Sequence, residues 1–562
     1  MPDKPASLFA SIGRLNRVLL LDKRDISIVY LFAILAGLVQ LSLPLGIQSI
    51  IGFVMAGSIS TSIIVLIILV VCGVFLNGLL QVRQLQIIEQ IRQKLFVRYS
   101  FGYSERLPKL NIEKLDHEYL PEMVNRYFDS VSLQKGIDKI LIDLPAAIIQ
   151  VLFGLILLSF YHPIFIAFGL VLITIVLTIL RYTSPQGLRT AMAASTFKYS
   201  VAAWLQEIAR TVKSFKYTKG TSMHMRRTDQ LVSEYLVSRT SHFRILLTQF
   251  WSLITFKIVI TAAMLIIGSY LLVNQQINVG QFIAADIVII AIIASIEKLI
   301  TNLDAVYDAL VSVEKLSAVT EAETEQSGTL PVMDDSKGVT IEFRNVSFAY
   351  GNGSPVLNDI NFRIAEGQLI QLGGPSGAGK STVLRLLTGA FKNYQGEVLL
   401  DRTPIGNFDV ESLRSKTGIL LGSQDIFQGT LWENLTMGNP SVNQGMVREL
   451  AELTGLHHFI ESCKQGYDTV LMPVGNKLPR SVRKNILLVR ALLGSHRLLL
   501  LEDPFDHLKE PYKTRTIEFI KRNNAATVLI ASADKSLTSY CDELIELAQD
   551  GHVVTQNETP GK

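Results

Sequence analysis

Charge is scarce in this sequence. Lys, Arg, Asp and Glu make up 18% of its 562 residues, against about 25% in a typical soluble domain. The shortage is uneven: long apolar runs crowd the N-terminal part, and the C-terminal part reads as an ordinary soluble domain. The net charge is only +4, so no excess of cations points to nucleic acid and no such partner is expected. Cysteine is scarce too. Cys72, Cys463 and Cys541 lie far apart, which excludes disulfide or metal spacing and leaves each as a small buried hydrophobe. A secretory leader is not expected. The first apolar run follows Lys23 and Arg24, is too long for a leader's apolar region, and has no small-residue cleavage site close behind it.

Apolar runs are what the sequence has instead. A helix needs roughly 20 apolar residues to cross a bilayer, because lipid offers no partner to backbone N–H and C=O groups. Stretches of that kind run from Ile26 to Met55, Ser62 to Leu80, Leu144 to Tyr161, Pro163 to Leu180, Ile245 to Val273 and Val279 to Ile300. Only His162 separates the third from the fourth, so these two form a tight hairpin. The connections Ala56–Ser62, His162 and Asn274–Gly280 carry no Lys or Arg, while Gln81–Asp143 and Arg181–Arg244 are long and rich in both. By the positive-inside rule the long segments and both termini face the cytoplasm. In Leu80–Leu107 apolar residues recur at intervals of three and four, so the second span is expected to continue as helix beyond the bilayer. Lys257 and Asp286 fall inside spans, where charges are functional candidates; snorkelling or mutual pairing accounts for them as well as a substrate contact does.

The polar stretch Glu321–Gly338 reads as a linker. The alternating, β-branched Val339–Tyr350 follows as a strand. Gln368–Leu372 then leads into GGPSGAGKST and an apolar helix. Gly374, Gly379, Lys380 and Ser381 stand at P-loop spacing between strand and helix, where the chemistry requires them. Glycines let the loop of Pro375, Ser376, Gly377 and Ala378, with Thr382 behind it, close around phosphates through the backbone N–H groups of every one of these residues but Pro375, and the helix N-terminus adds positive potential. Lys380 reaches the β- and γ-phosphates, and Ser381 ligates Mg2+.

Spans, long intracellular segments, linker and P-loop together resemble the ATP-binding cassette (ABC) exporters over nearly the whole chain. That resemblance implies an all-α six-helix transmembrane domain plus an α/β P-loop NTPase cassette. The expected boundaries are 1–25 for a cytoplasmic N-terminal segment, 26–315 for the membrane domain, 316–338 for the linker and 339–562 for the cassette. Tyr350, about 24 residues before the P-loop, is similar to the aromatic that stacks on adenine. Gly418–Leu435 resembles the Q-loop region, with Gln424 as its metal- and γ-phosphate-sensing residue, and its wording is nearest to type I secretion and peptide exporters. Phe197–Ile208 looks like a segment that docks on the cassette, and Asp550–Val554 like the closing strand turn. With about 25 residues before the first span, the peptidase domain of some peptide exporters is not expected.

Four family positions depart from the pattern. Where the family has Leu-Ser-Gly-Gly-Gln before a helix, this chain has Leu478, Pro479, Arg480, Ser481 and Val482, with the helix expected over Ser481–Leu493. Pro479 has no N–H, and Arg480 is bulky where a small residue should clasp the γ-phosphate. After Leu498–Leu501 the two acids are transposed, which puts Glu502 at the metal position and Asp503, one methylene short, at the catalytic one. A one-residue slip would make Asp503 the metal carboxylate and Pro504 the base. The D-loop aspartate position holds Lys509, and the γ-phosphate histidine is replaced by Ala533.

ATP and Mg2+ are the cofactors implied. The partner implied is a second half-transporter, the same chain or a different one, in lipid, with a periplasmic adaptor and outer-membrane channel where two membranes exist. The reading is an inner-membrane exporter of a peptide, protein or hydrophobic cargo with weakened ATPase; the alternative is a non-hydrolytic, ATP-gated subunit.

Overall fold

A computed structural model describes residues 8–55, 61–115, 120–218, 220–333, 337–351, 353–475, 477–523 and 525–558, the side chains of 114, 115, 523 and 555–558 excepted. Most of the connection Ala56–Ser62 lies outside the described residues. The chain divides into two compact units: Met1–Lys109 with Tyr119–Ala322, and Leu110–Glu118 with Glu323–Lys562.

The first unit is helical. Among the described residues it holds six helical stretches long and apolar enough to cross a membrane, at Lys23–Met55, Thr61–Lys109, Leu120–Tyr161, Ile164–Arg210, Met223–Val273 and Val279–Thr320. Its main helices are α1 (Leu8–Leu20), α2 (Lys23–Gln40), α3 (Ser42–Met55), α4 (Thr61–Arg106), α5 (Asp129–Asp138), α6 (Leu144–Tyr161), α7 (Ile164–Arg210), α8 (Val212–Tyr217), α9 (Met223–Val273), α10 (Val279–Thr301) and α11 (Leu303–Thr320). The first span differs from the single helix expected, because it breaks at Leu41 between α2 and α3. Pro44 explains the break: it has no N–H to give the Gln40 carbonyl. As expected, α4 continues far past its apolar part. Its 46 residues are about 69 Å long at 1.5 Å per residue, against a hydrocarbon core of about 30 Å.

The hairpin between α6 and α7 turns on extended His162, whose Nδ1 accepts from the Ile164 N–H at 3.2 Å. Inside the unit Leu158, Phe165, Leu172, Phe256, Ile260, Val288, Ile292 and Ile296 form one buried apolar cluster. Below it a polar network joins three helices. Buried His242 of α9 meets Thr190 Oγ1 of α7 at 2.9 Å and Asp304 Oδ1 of α11 at 3.0 Å. Gln249 donates to the Tyr307 hydroxyl at 2.8 Å.

Phe197–Ile208 lies within uninterrupted α7, and the chain reverses at α8. Its Trp204 is buried, donating Nε1–H to Thr228 Oγ1 at 3.1 Å beneath the Arg227 guanidinium. Lys257 does not pair with Asp286. It binds Glu297, with Nζ 2.6 Å from Oε2. In an antiparallel α9/α10 pair Glu297 stands level with Lys257, and Asp286 is eleven residues higher, about 16 Å away along the axis.

The second unit is α/β. Its strands are β1 (Ile341–Ala349), β2 (Pro355–Ile364), β3 (Leu369–Gly373), β4 (Gln395–Leu400), β5 (Thr417–Leu420), β6 (Leu498–Glu502), β7 (Thr527–Ala531), β8 (Glu543–Leu547) and β9 (Val553–Glu558). One sheet has the order β9-β8-β3-β7-β6-β5, parallel except for β9. A smaller antiparallel sheet holds β2, β1 and β4. The run Leu498–Leu501 is apolar throughout because β6 is buried on both faces. Leu498 and Leu500 pack with Ile370 and Leu529, and Leu499 and Leu501 with Ile486 and Ile530.

The segment expected as a linker is not a free tether. Residues 316–320 complete α11. Beyond it, Glu325 takes two hydrogen bonds from Arg414, at 2.7 and 3.0 Å, and Leu330 bridges to Phe408. Within this unit Leu110 also bridges to Thr324, and the Asn111 N–H donates to the Glu323 carbonyl at 3.0 Å.

Candidate functional site

The parallel strand β3 ends at Gly373, and the chain loops through Gly374–Gly379 into α12 (Lys380–Leu387). Two glycines are there for geometric reasons. Gly374 has φ +129°, and a Cβ on it would stand 2.3 Å from the Leu547 carbonyl oxygen. Gly379 has φ +92°, and its Cβ would meet the Leu357 side chain at 2.5 Å. Pro375, Ser376 and Gly377 remain exposed, so the loop's N–H groups are open to a ligand, while Ala378 and Thr382 are buried beneath it. Lys380 spans the loop and donates to the carbonyls of Gly374 at 2.8 Å and Pro375 at 2.7 Å. Burial holds its ammonium below the usual lysine range, against the opposing pull of Asp503 and Glu502.

Tyr350 follows β1 and lies beside this loop. Its hydroxyl is 3.1 Å from Thr382 Oγ1 and accepts from Arg385 at 3.3 Å; its ring packs edge-on against Phe348 and Phe391.

Of the two possible registers for the acids, the structure has Glu502 on the P-loop helix. Ser381 Oγ donates to Glu502 Oε1 at 2.5 Å, and the Gly422 N–H donates to Oε2 at 2.7 Å. Gly422 escaped the sequence reading, although it precedes Gln424 by two residues. Gln424 points elsewhere: its Oε1 accepts from the Leu421 N–H at 3.3 Å, within its own turn. Among the described residues no three His, Cys, Asp or Glu side chains gather into a metal cluster. A hydroxyl and one carboxylate nonetheless suit Mg2+, which takes few protein ligands and completes its shell with phosphate and water. Ser381 and Glu502 are the groups that would hold it.

Asp503 leaves the strand with φ +41°. Its N–H donates to the Ala531 carbonyl at 2.9 Å. Burial pushes its carboxyl above the ordinary aspartate range, helped by nearby Asp506 and opposed by a hydrogen bond to Ser532 and by Lys484. Ser532 is a second neighbour that sequence reasoning missed. Ala533 is exposed and offers no polar group. Next to it, Asp534 is pulled down to about 2 by Lys513, 2.7 Å away, and by Ser536.

The divergent signature leads into a helix. Leu478 packs on the core, Pro479 is the N-cap, and α13 (Arg480–Leu492) begins one residue earlier than expected. The reason is that Pro479, extended at ψ 145°, cannot join the helix but leaves its carbonyl free to accept from the Arg483 N–H at 3.1 Å. Arg480 and Ser481 are exposed, and Val482 is partly covered by the core. Lys509 is exposed. Near Arg480 and Lys484, half-buried His507 is pushed down to about 4, chiefly by desolvation.

Comparison with known proteins agrees with this architecture. Residues 357–506 match the ABC transporter family. The chain is 29% identical over 282 residues to the alpha-hemolysin translocation ATP-binding protein HlyB of Escherichia coli O157:H7, a match covering 50% of this chain and 40% of that protein. It is 29% identical over 296 residues to the leukotoxin export ATP-binding protein LtxB of Aggregatibacter actinomycetemcomitans, covering 52% of this chain and 41% of the other. The matches thus span less than half the length of these curated relatives. In fold, the chain is similar to a bacterial Atm1-family ABC exporter with ATP bound, at a TM-score of 0.85 and 18% identity, over 97% of this chain and 96% of that one. The chain therefore carries an ABC transporter domain, set behind six apolar spans in the fold of an ABC exporter.

Proposed function

We propose that this protein is an ATP-driven exporter half-transporter with a weakened ATPase, working as a pair with a second cassette-bearing chain, in the cytoplasmic membrane and with the cassette in the cytoplasm. The observation that carries the reading is an intact P-loop whose Ser381 already meets the strand carboxylate Glu502. Bound ATP would have its phosphates in the Gly374–Thr382 loop and its base beside Tyr350, and Ser381 and Glu502 are the groups that would hold Mg2+. Asp503 acts as the base, at a disadvantage: its side chain is short, and Ala533 supplies no partner for the γ-phosphate. Each missing transition-state contact lowers the rate by about 10²–10³, and losses within one catalytic unit do not add. The names of the relatives, which translocate or export toxins, support a peptide or protein cargo.

A non-hydrolytic, ATP-gated subunit is the second reading, favoured by Ala533 and by the divergent Leu478–Val482. Turnover by the purified protein in lipid, beside Lys380→Ala and Asp503→Asn variants, separates the two. Turnover lost in both variants supports the exporter. ATP binding with turnover no higher than in Lys380→Ala sinks it as a self-sufficient ATPase and leaves the gated subunit.

A further inference from the structure

Asp286 stands seven residues after Val279, the start of α10, about 10 Å into the span. It has no hydrogen-bond or ion-pair partner among the described residues. One face of α10 is packed inside the unit through Ala284, Ala285, Val288, Ile292 and Ile296. At 100° per residue, Asp286, Ile290 and Glu297 form a stripe turned away from that face, with Asp286 and Glu297 half-buried. Ile290 is 59% exposed, and Glu297 there holds Lys257 of α9 at 2.6 Å.

Asp286 and Glu297 share this half-open face, Lys257 reaches Glu297 from α9, and at the depth of Asp286 hydrocarbon offers an acid neither hydration nor a counter-charge. The Lys257–Glu297 pair neutralises itself, so the net charge of the face is that of Asp286. We propose that this face of α10 borders a water-filled path, and that Asp286 is an anionic site receiving an amine or other cationic group of the cargo. The proposal rests on the exporter reading and adds to it a chemical class of cargo and a place where it is held.

The test uses the full chain in proteoliposomes, with Cys72, Cys463 and Cys541 replaced by alanine. A single cysteine is placed by Ile290→Cys, one turn from Asp286, and in a control by Ile266→Cys. Ile266 is exposed on α9, on the side of the helix opposite Lys257. Labelling rates are read with a cationic and an anionic methanethiosulfonate. The cysteine at 290 should react at least tenfold faster than that at 266 and favour the cationic reagent. Asp286→Asn, nearly isosteric, should cut that preference at least threefold. Tetraphenylphosphonium should slow labelling at 290, and tetraphenylborate should not. A cysteine at 290 as inert as that at 266, or a charge preference unmoved by Asp286→Asn, would overturn the proposal. Labelling needs no ATP turnover, so absent turnover with charge-selective labelling retained would count against the exporter reading alone.

Discussion

Ser381 Oγ stands 2.5 Å from Glu502 Oε1, so the first turn of the P-loop helix and the end of β6 meet through a hydroxyl and a carboxylate. In Glu502→Gln an acceptor for Ser381 and Gly422 remains but the negative charge is gone. The fold should survive. Mg2+ should then strengthen ATP binding little, with a loss of about 10- to 100-fold in Mg2+-dependent affinity, measured by fluorescent-nucleotide titration with Mg2+ and with a chelator. Unchanged Mg2+ dependence would remove Glu502 from the metal site.

Asp503 has φ +41°, a region that Asp and Asn enter more readily than Glu. Asp503→Asn should therefore leave the thermal midpoint unchanged while abolishing turnover. Asp503→Glu restores reach but strains the backbone by about 1 kcal/mol, which should appear as a lower midpoint. Adding Ala533→His to Asp503→Glu should raise turnover by about 10- to 100-fold over the parent. A double variant no faster than the parent would mean that these two positions do not limit hydrolysis. Because burial raises the Asp503 carboxyl, the acid-side loss of parental turnover should begin above the ordinary aspartate range.

His507 provides a pH test. Its folded-state value is pushed down to about 4 from 6.5, so the unfolded chain takes up the proton first on acidification. Stability is then full above about 6.5 and falls as pH drops toward 4. Thermal midpoints of the full chain at pH 7.5 and pH 5 should differ more for the parent than for His507→Gln. Equal differences would show that His507 is not the group responsible.

Lys257 and Glu297 should behave as one unit. Lys257→Leu leaves Glu297 without its counter-charge on a half-open face and should destabilise the protein by about 1 kcal/mol or less. Lys257→Leu with Glu297→Leu should recover most of that loss, read as thermal midpoints in nanodiscs. A double variant no better than the single one would mean that the 2.6 Å pair contributes nothing.

Six spans, the tight turn at His162, the extension of the second span and the P-loop between β3 and α12 were all legible from the residues. Each is governed by local physics: apolar length against bilayer thickness, glycines where φ is positive, and helical spacing of apolar residues. The break at Leu41 was legible in principle from Pro44, yet a hydropathy run does not register one missing hydrogen bond.

Other features depend on which distant segments meet. Residue types alone left Glu502 and Asp503 exchangeable. Only the register of β6 against β7 and β5, with Ser381 beside its end, puts Glu502 on the P-loop serine and leaves Asp503 beside Ser532. Lys257 chose Glu297 over Asp286 because two antiparallel helices set the levels at which charges face each other. Sequence by itself determined that this chain spans a membrane and carries a P-loop, since both follow from composition and spacing within single segments. The tertiary structure alone decided which carboxylate meets the P-loop serine and which intramembrane acid is left without a partner, since both follow from the packing of elements far apart in the chain.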